Sequence, residues 1–442
     1  PFTNRHIDAI TNISFSTKLE DDSKAGKFGI GFKSVYAFTE TPYIYTDRIS
    51  FAIKDMFYPE ELPSRRTQGM TIFEFPFNNE KLSPEQAIEK IEKGLRDISA
   101  TTLLFLSNVR EINYTLTNGK AGIIIAEHED KNSFDAEDAG FTFAEFIHCS
   151  SVFDDGKQDE DSDWLRFNRK INIKLGEDEK IKSRFVNIAF PIKKSNANNE
   201  YNFITKEGKV SIFFLAPNAK SNLYFHINAP FGCPPSRDSV SDTEDNKLLV
   251  AEIAELVHDA IMYLRDNHEL TPAFFNILPL QSDQVDSFYN PIKESMIKIF
   301  SQESVYPTIT DGYKRKIEVI STNEQIRKLF PITDMRTLMA EQEIFFLLNP
   351  QTRGYTFISE NKVTRIDGQT ILMFLSHLQT EQINRLFSGR SAEWYKAVYS
   401  LLFEPATKND VTKLKNCKII LSKNGEMVDS HQARFLEDPS LL

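Results

Sequence analysis

Residues Gly26-Lys27-Phe28-Gly29-Ile30-Gly31-Phe32-Lys33-Ser34 carry three glycines in six positions and run at once into Val35, Tyr36, Ala37 and Phe38. Glycine lacks a Cβ, so this stretch can take positive φ and let a ligand approach the main chain. The apolar residues after it predict a buried helix. Its first N–H groups have no internal acceptor and favour an anion, most often a phosphate. A glycine-rich turn without a ligand is the plainer alternative; three glycines at the mouth of a helix make it the weaker one. Two other phosphate loops do not fit. A Walker A loop has Lys directly after its last glycine, whereas Phe32 separates Gly31 from Lys33. A dinucleotide fingerprint follows an apolar strand, and residues 18–25 are polar and charged.

A second stretch with chemical content is Asn228-Ala229-Pro230-Phe231-Gly232-Cys233-Pro234-Pro235-Ser236-Arg237-Asp238. Three prolines and a glycine make it an irregular, stiffened loop with an arginine near its tip. From the residues alone, Arg237 reads as a surface charge or a partner of Asp238.

The elements that must hold these stretches are partly legible. Ile7, Ile10 and Ile13 recur at helical spacing. Residues 43–46, 49–53 and 70–75 are rich in β-branched and aromatic types and predict strands. Ser83-Pro84-Glu85-Gln86 predicts a capped helix start, with Pro at the first position and Gln completing a capping box. Residues 109–116, 122–126, 141–147, 185–192, 209–215 and 223–227 predict short strands, and the acidic residues 154–163 a solvated loop. Ser241-Asp242-Thr243-Glu244 predicts a second capping box, opening a helix with Leu249, Ile253, Leu256, Val257, Ala260 and Leu264 on one stripe. Beyond residue 270 the pattern is mostly helical, with a strand and turn at 418–425.

Composition narrows the class. At 442 residues the chain has room for two or three domains, and 36 Phe within 40% hydrophobic content predict aromatic cores. A net charge of −11 argues against a general nucleic-acid binder. Cys149, Cys233 and Cys417 are far apart and suggest neither a disulfide framework nor zinc; the simplest setting is reducing and cytoplasmic. No stretch is long and apolar enough to predict a membrane span.

Residues 26–32 resemble the phosphate-binding lid motif of the GHKL ATPase superfamily, in particular that of ninety-kilodalton heat-shock chaperones and sacsin-type proteins. Residues 10–18, Ile-Thr-Asn-Ile-Ser-Phe-Ser-Thr-Lys, are similar to the segment that opens that lid. The resemblance implies nucleotide contacts from Lys18, Gly26, Lys27, Phe28, Gly29, Ile30, Gly31 and Phe32. The run Gly69-Met70-Thr71-Ile72-Phe73 resembles the family's last motif, which implies that Thr71 reaches a water near adenine. The 228–238 loop is similar to the catalytic loop of the chaperone middle domain, which implies that Arg237 touches the terminal phosphate. Guanidinium suits that task, being always charged and able to grip oxygens in a fork.

The fold so implied is α+β: a partial Bergerat-type ATP-binding sandwich over residues 1–82, a helical connector over 83–108, a middle domain over 109–270, and an α-rich region over 271–442. The implied function is an ATP-hydrolysing conformational switch of the chaperone-like or phage-defence type. The alternative is a non-catalytic scaffold that binds nucleotide or a partner. ATP and magnesium are the implied cofactors, client or partner proteins and a homodimer the implied company. Pro1-Phe2 commonly follows the family's Asp-bearing adenine motif, so the metal-holding Asn and the acidic base are expected upstream. No metal ligand is assigned within residues 1–442, and ATP binding by this stretch alone is expected to be weak.

Overall fold

The computed structural model describes residues 4–11, 31–106, 108–117, 119–130, 140, 142–153, 157–174, 182–194, 201–310, 312–403 and 414–433. They fall into two compact units. One lies within residues 1–197, 204–260 and 284–293, the other within 198–203, 261–283 and 294–442. Helices and sheets are mixed, with an antiparallel sheet and a helical C-terminal region, so the class is α+β as expected.

The first unit begins with a small antiparallel sheet. Its strands β1 (Tyr43–Tyr45), β2 (Ser50–Lys54), β3 (Tyr58–Glu61) and β4 (Ile72–Glu74) lie in the order β3-β2-β1-β4. Ile44 stands opposite both Phe51 and Phe73. Ile44, Phe51 and Ile53 form a buried core, on which Ile7 and Ile10 of helix α1 (Asn4–Thr11) pack. The helix expected after the glycines is instead a six-residue 3-10 helix, Phe32–Ala37, with no fully buried residue. Of that segment, Phe32 and Tyr36 pack on the described core, while Val35 is half-buried and Ala37 exposed. A short segment with one contact row gains little from continuing as an α-helix.

The capping box at Ser83 forms as expected. Ser83 Oγ accepts from Gln86 N at 3.3 Å and Gln86 Oε1 from Ser83 N at 3.1 Å, opening α2 (Pro84–Arg96). A 3-10 turn, Ala100–Leu103, then drops Ala100, Leu103 and Leu104 into a core with Ile124, Ile147, Trp164 and Ala189.

Those last residues belong to the second sheet of this unit. Its strands are β5 (Glu111–Thr115), β6 (Ala121–Asp130), β7 (Thr142–Phe153), β8 (Lys157–Ile173), β9 (Lys182–Lys194), β11 (Val210–Ile212), β12 (Phe214–Leu215) and β13 (His226–Asn228); β10 (Tyr201–Phe203) falls in the other unit. The order is β12-β11-β13-β9-β8-β7-β6-β5, with β11 and β13 parallel and the remaining neighbours antiparallel. The acidic loop expected at 154–163 is corrected here. Residues 157–163 are the first part of β8 and pair with β7, while 154–156 lie outside the described residues. Two of the acidic side chains have partners: Glu160 accepts from Ser99 Oγ at 3.0 Å and from the Ala100 N–H in the connector, and Asp163 lies 2.8 Å from His148 Nδ1 on β7.

Helix α3 (Glu244–Asp266) carries the expected stripe, with Leu249, Ile253, Leu256, Val257 and Ala260 buried. Its cap is Thr243, whose Oγ1 accepts from Asn246 N at 3.3 Å, rather than Ser241. Arg169 on β8 binds Glu252 at 3.1 Å and Asp259 at 2.6 Å, so α3 is tied to the Arg169 face of the sheet.

The second unit is mainly helical: α4 (Asn290–Gln302) from Glu294 on, α5 (Glu324–Leu329), α6 (Ile332–Leu338), α7 (Thr352–Glu360), α8 (Gly368–His377), α9 (Thr380–Phe387) and α10 (Ala392–Phe403). The strand and turn expected near 418–425 form a ribbon of β19 (Ile420–Leu421) and β20 (Met427–Val428). Of the other short strands, β14 (Tyr306–Pro307) pairs with β15 (Tyr313–Lys314). The central strand β16 (Val319–Ser321) lies parallel to β17 (Phe345–Phe346) and β18 (Thr364–Arg365). Two- and three-residue strands are too short to show the alternation that marks one in a sequence.

Candidate functional site

Lys18, Gly26, Lys27, Phe28, Gly29 and Ile30 lie outside the described residues. Gly31 is the first of the expected nucleotide contacts with a described backbone, and it corrects the argument from positive φ. Its φ of −57° and ψ of −43° are ordinary right-handed values, and an added Cβ would meet none of the described residues within 4 Å. Any need for glycine there would come from a close ligand, not from the backbone. Ser34 Oγ closes the turn by donating to Gly31 O at 2.8 Å.

Phe32 and Thr71 are brought to adjacent elements. The Phe32 ring packs against Phe73 and Phe75 of the β4 region, with centroids 6.1 and 6.4 Å apart, and Thr71 is exposed just before β4. The turn that delivers Thr71 is fixed by Asp47, which accepts from the backbone N–H groups of Thr67 at 2.7 Å and Gly69 at 2.5 Å. Those two bonds hold the Asp47 carboxyl below its usual range, the Thr67 bond most of all. Lys33 faces inward: its ammonium donates to the carbonyls of Thr11, at 3.2 Å, and Met56, and lies 4.6 Å from the Phe57 ring centroid. Burial lowers its pKa.

Arg237 stands on the other sheet of the unit, near the tip of the loop that follows β13. It is half-buried and sits in the left-handed region at φ +55°, with its N–H bonded to Pro234 O at 2.9 Å. Asn246, in the first turn of α3, holds the start of the loop. Its Oδ1 accepts from Gly232 N at 2.7 Å, and its Nδ2 donates to Gly232 O at 2.8 Å and Ser241 O at 2.7 Å. The tip is held at Asp238. Its carbonyl accepts from Asn218 N at 2.7 Å, and its carboxylate accepts from Ser236 Oγ at 2.9 Å and Ser239 Oγ at 3.1 Å. The hydroxyl bonds, Ser236 first, lower the Asp238 pKa. Neither clamp was found by reading the sequence. Asn246 had a signal, a lone amide three residues after a capping Thr at the start of an apolar stripe; Asn218 looks like any turn residue.

Residues 1–62 match the family model of the Sacsin domain. The likeness is sacsin-type over that stretch. It takes in the glycine run and the sheet as far as the end of β3. No curated protein matches the chain. Among the described residues, no helix is long and apolar enough to cross a membrane, and no group of three or more His, Cys, Asp or Glu is placed to hold a metal ion.

Proposed function

We propose that this chain works in an ATP-hydrolysing conformational switch of the GHKL, Bergerat-fold type, chaperone-like or phage-defence in role, with Arg237 directed at the terminal phosphate. The sacsin-type match over residues 1–62 supports the nucleotide half of this reading. The observation that carries the rest is the state of Arg237. Positive φ by itself is weak support, since eleven non-glycine residues among those described have it. Arg237 differs in being a half-exposed cation in that conformation on a loop clamped at its start by Asn246 and at its tip by Asn218. A left-handed non-glycine residue costs on the order of 1–3 kcal/mol and persists where its surroundings over-determine it.

The residues present fit an anionic ligand. Thr71 is exposed, no described residue crowds the Cβ direction of Gly31, and Arg237 offers a guanidinium with a fixed backbone. When bound, ATP would supply the phosphoryl group and magnesium would ease its charge. Gly31, Phe32 and the residues before them would hold the phosphates, the Phe32–Phe73 contact fixing the end of the lid. Arg237 would donate two N–H groups to terminal phosphate oxygens and balance the charge that grows there during attack by water.

Calorimetry on the natural full-length protein tests the nucleotide half. Gly29→Val is expected to abolish ATP binding while the protein still melts cooperatively, because a branched Cβ blocks close phosphate approach. Unchanged affinity in that variant would remove the lid from the account.

A further inference from the structure

One face of the second sheet carries a row of buried polar side chains where packing alone would place apolar ones. Arg166 on β8 donates through Nε to Glu145 Oε2 on β7 at 2.8 Å, and its Nη1 donates to Leu104 O in the connector. Asn168 Nδ2 donates to the same Glu145 oxygen at 3.3 Å. Asn187 Nδ2 on β9 donates to Asn168 Oδ1 at 2.6 Å, and Asn228 Nδ2 on β13 donates to Asn187 Oδ1 at 2.7 Å. The row ends where Asn228 Oδ1 accepts from Phe213 N at 2.8 Å. All five residues are at most 9% exposed. The strand register sets the row, with Glu145 opposite Arg166, Asn168 opposite Asn187, and Asn187 opposite Asn228. Since side chains alternate along a strand, this is the face turned away from Arg169 and α3.

Such a row is expensive as a source of stability. Buried ion pairs and amides often do no better than apolar residues of the same shape, and a half-satisfied network is worse. What a satisfied row does supply is fixed geometry. Its last bond holds Phe213 at φ +68°. From Phe213 the chain runs through β12 to Asn218, whose N–H grips Asp238 beside Arg237. Asn228 itself is the residue before the loop begins.

We propose that Glu145, Arg166, Asn168, Asn187 and Asn228 are positioning residues that set the orientation of the Arg237 loop and link it to the connector at Leu104. This rests on the terminal-phosphate reading of Arg237. None of the five is a catalytic residue; each acts through the loop.

Two variants test it. Asn228→Val removes both bonds of the last amide. Asn228→Asp keeps the acceptor for Phe213 N–H and, while protonated, can still donate to Asn187 Oδ1. Once ionised, it sets two acceptors face to face. Hydrogen exchange on the 442-residue chain reads the loop without any nucleotide. In Asn228→Val, the amides of Phe213, Asn218 and Arg237 are expected to exchange at least ~10-fold faster, with α8 in the second unit unchanged. Turnover in the full-length protein reads the consequence. We expect about a 10-fold fall in kcat at unchanged ATP affinity, no further fall when Asn228→Val is added to Arg237→Ala, and for Asn228→Asp a kcat near parental at low pH that drops as the carboxyl ionises. Parental exchange at Asn218 and Arg237 in both variants overturns the proposal. So does an Asn228→Val loss that adds in full to that of Arg237→Ala. If Arg237→Ala alone leaves turnover intact, the terminal-phosphate reading fails instead, and the exchange rates then judge the row as a purely structural brace.

Discussion

Removing the Asn246 side chain should release the Arg237 loop at its start. Asn246 is 1% exposed and makes three bonds, to Gly232 N–H, Gly232 O and Ser241 O. In Asn246→Ala, Gly232 O keeps the Ser241 N–H at 3.0 Å, so two groups are orphaned, Gly232 N–H and Ser241 O. Gly232 is exposed and Ser241 half-buried, so water replaces part of what is lost; at about 0.5–1.5 kcal/mol net for each group, the local cost is roughly 1–3 kcal/mol. With a factor of ten for every 1.4 kcal/mol, the Gly232 amide should exchange ~5- to 140-fold faster. Asn246→Asp keeps the acceptor for Gly232 N–H but loses both donations, so it should lie in between. Hydrogen exchange by NMR or mass spectrometry, with the buried helix α8 as internal control, measures this directly. A Gly232 amide that exchanges at the parental rate in Asn246→Ala would show that something else holds the loop.

Two further outcomes follow from the first unit. Gly31→Ala should leave the melting temperature unchanged or slightly raised, because the backbone there is right-handed and the Cβ direction is open; a clear drop in a thermal scan would contradict that geometry. His226 is 3% exposed, lies tilted against Trp164 with ring centroids 4.4 Å apart, and uses Nδ1 to accept from Lys209 N at 3.2 Å, so it is neutral in the fold. Burial, followed by nearby Lys209 and Lys206, lowers its pKa from 6.5 to about 3. The unfolded chain therefore binds the proton first. His226 favours folding fully above pH 6.5, and that contribution is lost as pH falls towards 3. Urea titrations of the parent and His226→Phe should differ in slope by about 1.4 kcal/mol per pH unit between pH 6 and 4. Parallel pH profiles would contradict the buried, neutral assignment.

How far the sequence could be read depended on how local each feature was. The Ser83 capping box and the α3 stripe are patterns within one element, and both formed. In residues 157–163 an acidic composition hides a strand, because the carboxylates find partners far along the chain, Glu160 at Ser99 in the connector and Asp163 at His148 on β7. The segment after Gly31 has the composition of a buried helix, but of Phe32–Ala37 only Phe32 and Tyr36 pack on the Ile44, Phe51 and Ile53 core. The Glu145-to-Asn228 row was invisible for a different reason. Its members come from four strands across more than eighty positions, and along each strand a buried Asn looks like an outward-facing polar residue. Register decides which it is, and register belongs to the folded sheet. The Arg237 loop was visible through its prolines, while the amides that clamp it carried little signal.

Turnover and nucleotide affinity of Arg237→Ala and Arg237→Lys, in the natural full-length protein, test the central claim most directly. A group that meets the terminal phosphate chiefly in the transition state contributes to rate more than to binding. Arg237→Ala should hold ATP affinity within a few fold while kcat falls by ~10²–10³, the scale of one preorganised charge-stabilising donor. Arg237→Lys should recover only part of the loss, since a point charge cannot reproduce the two-pronged grip. Parental turnover in both variants would contradict the account and leave Arg237 a surface charge on a well-braced loop.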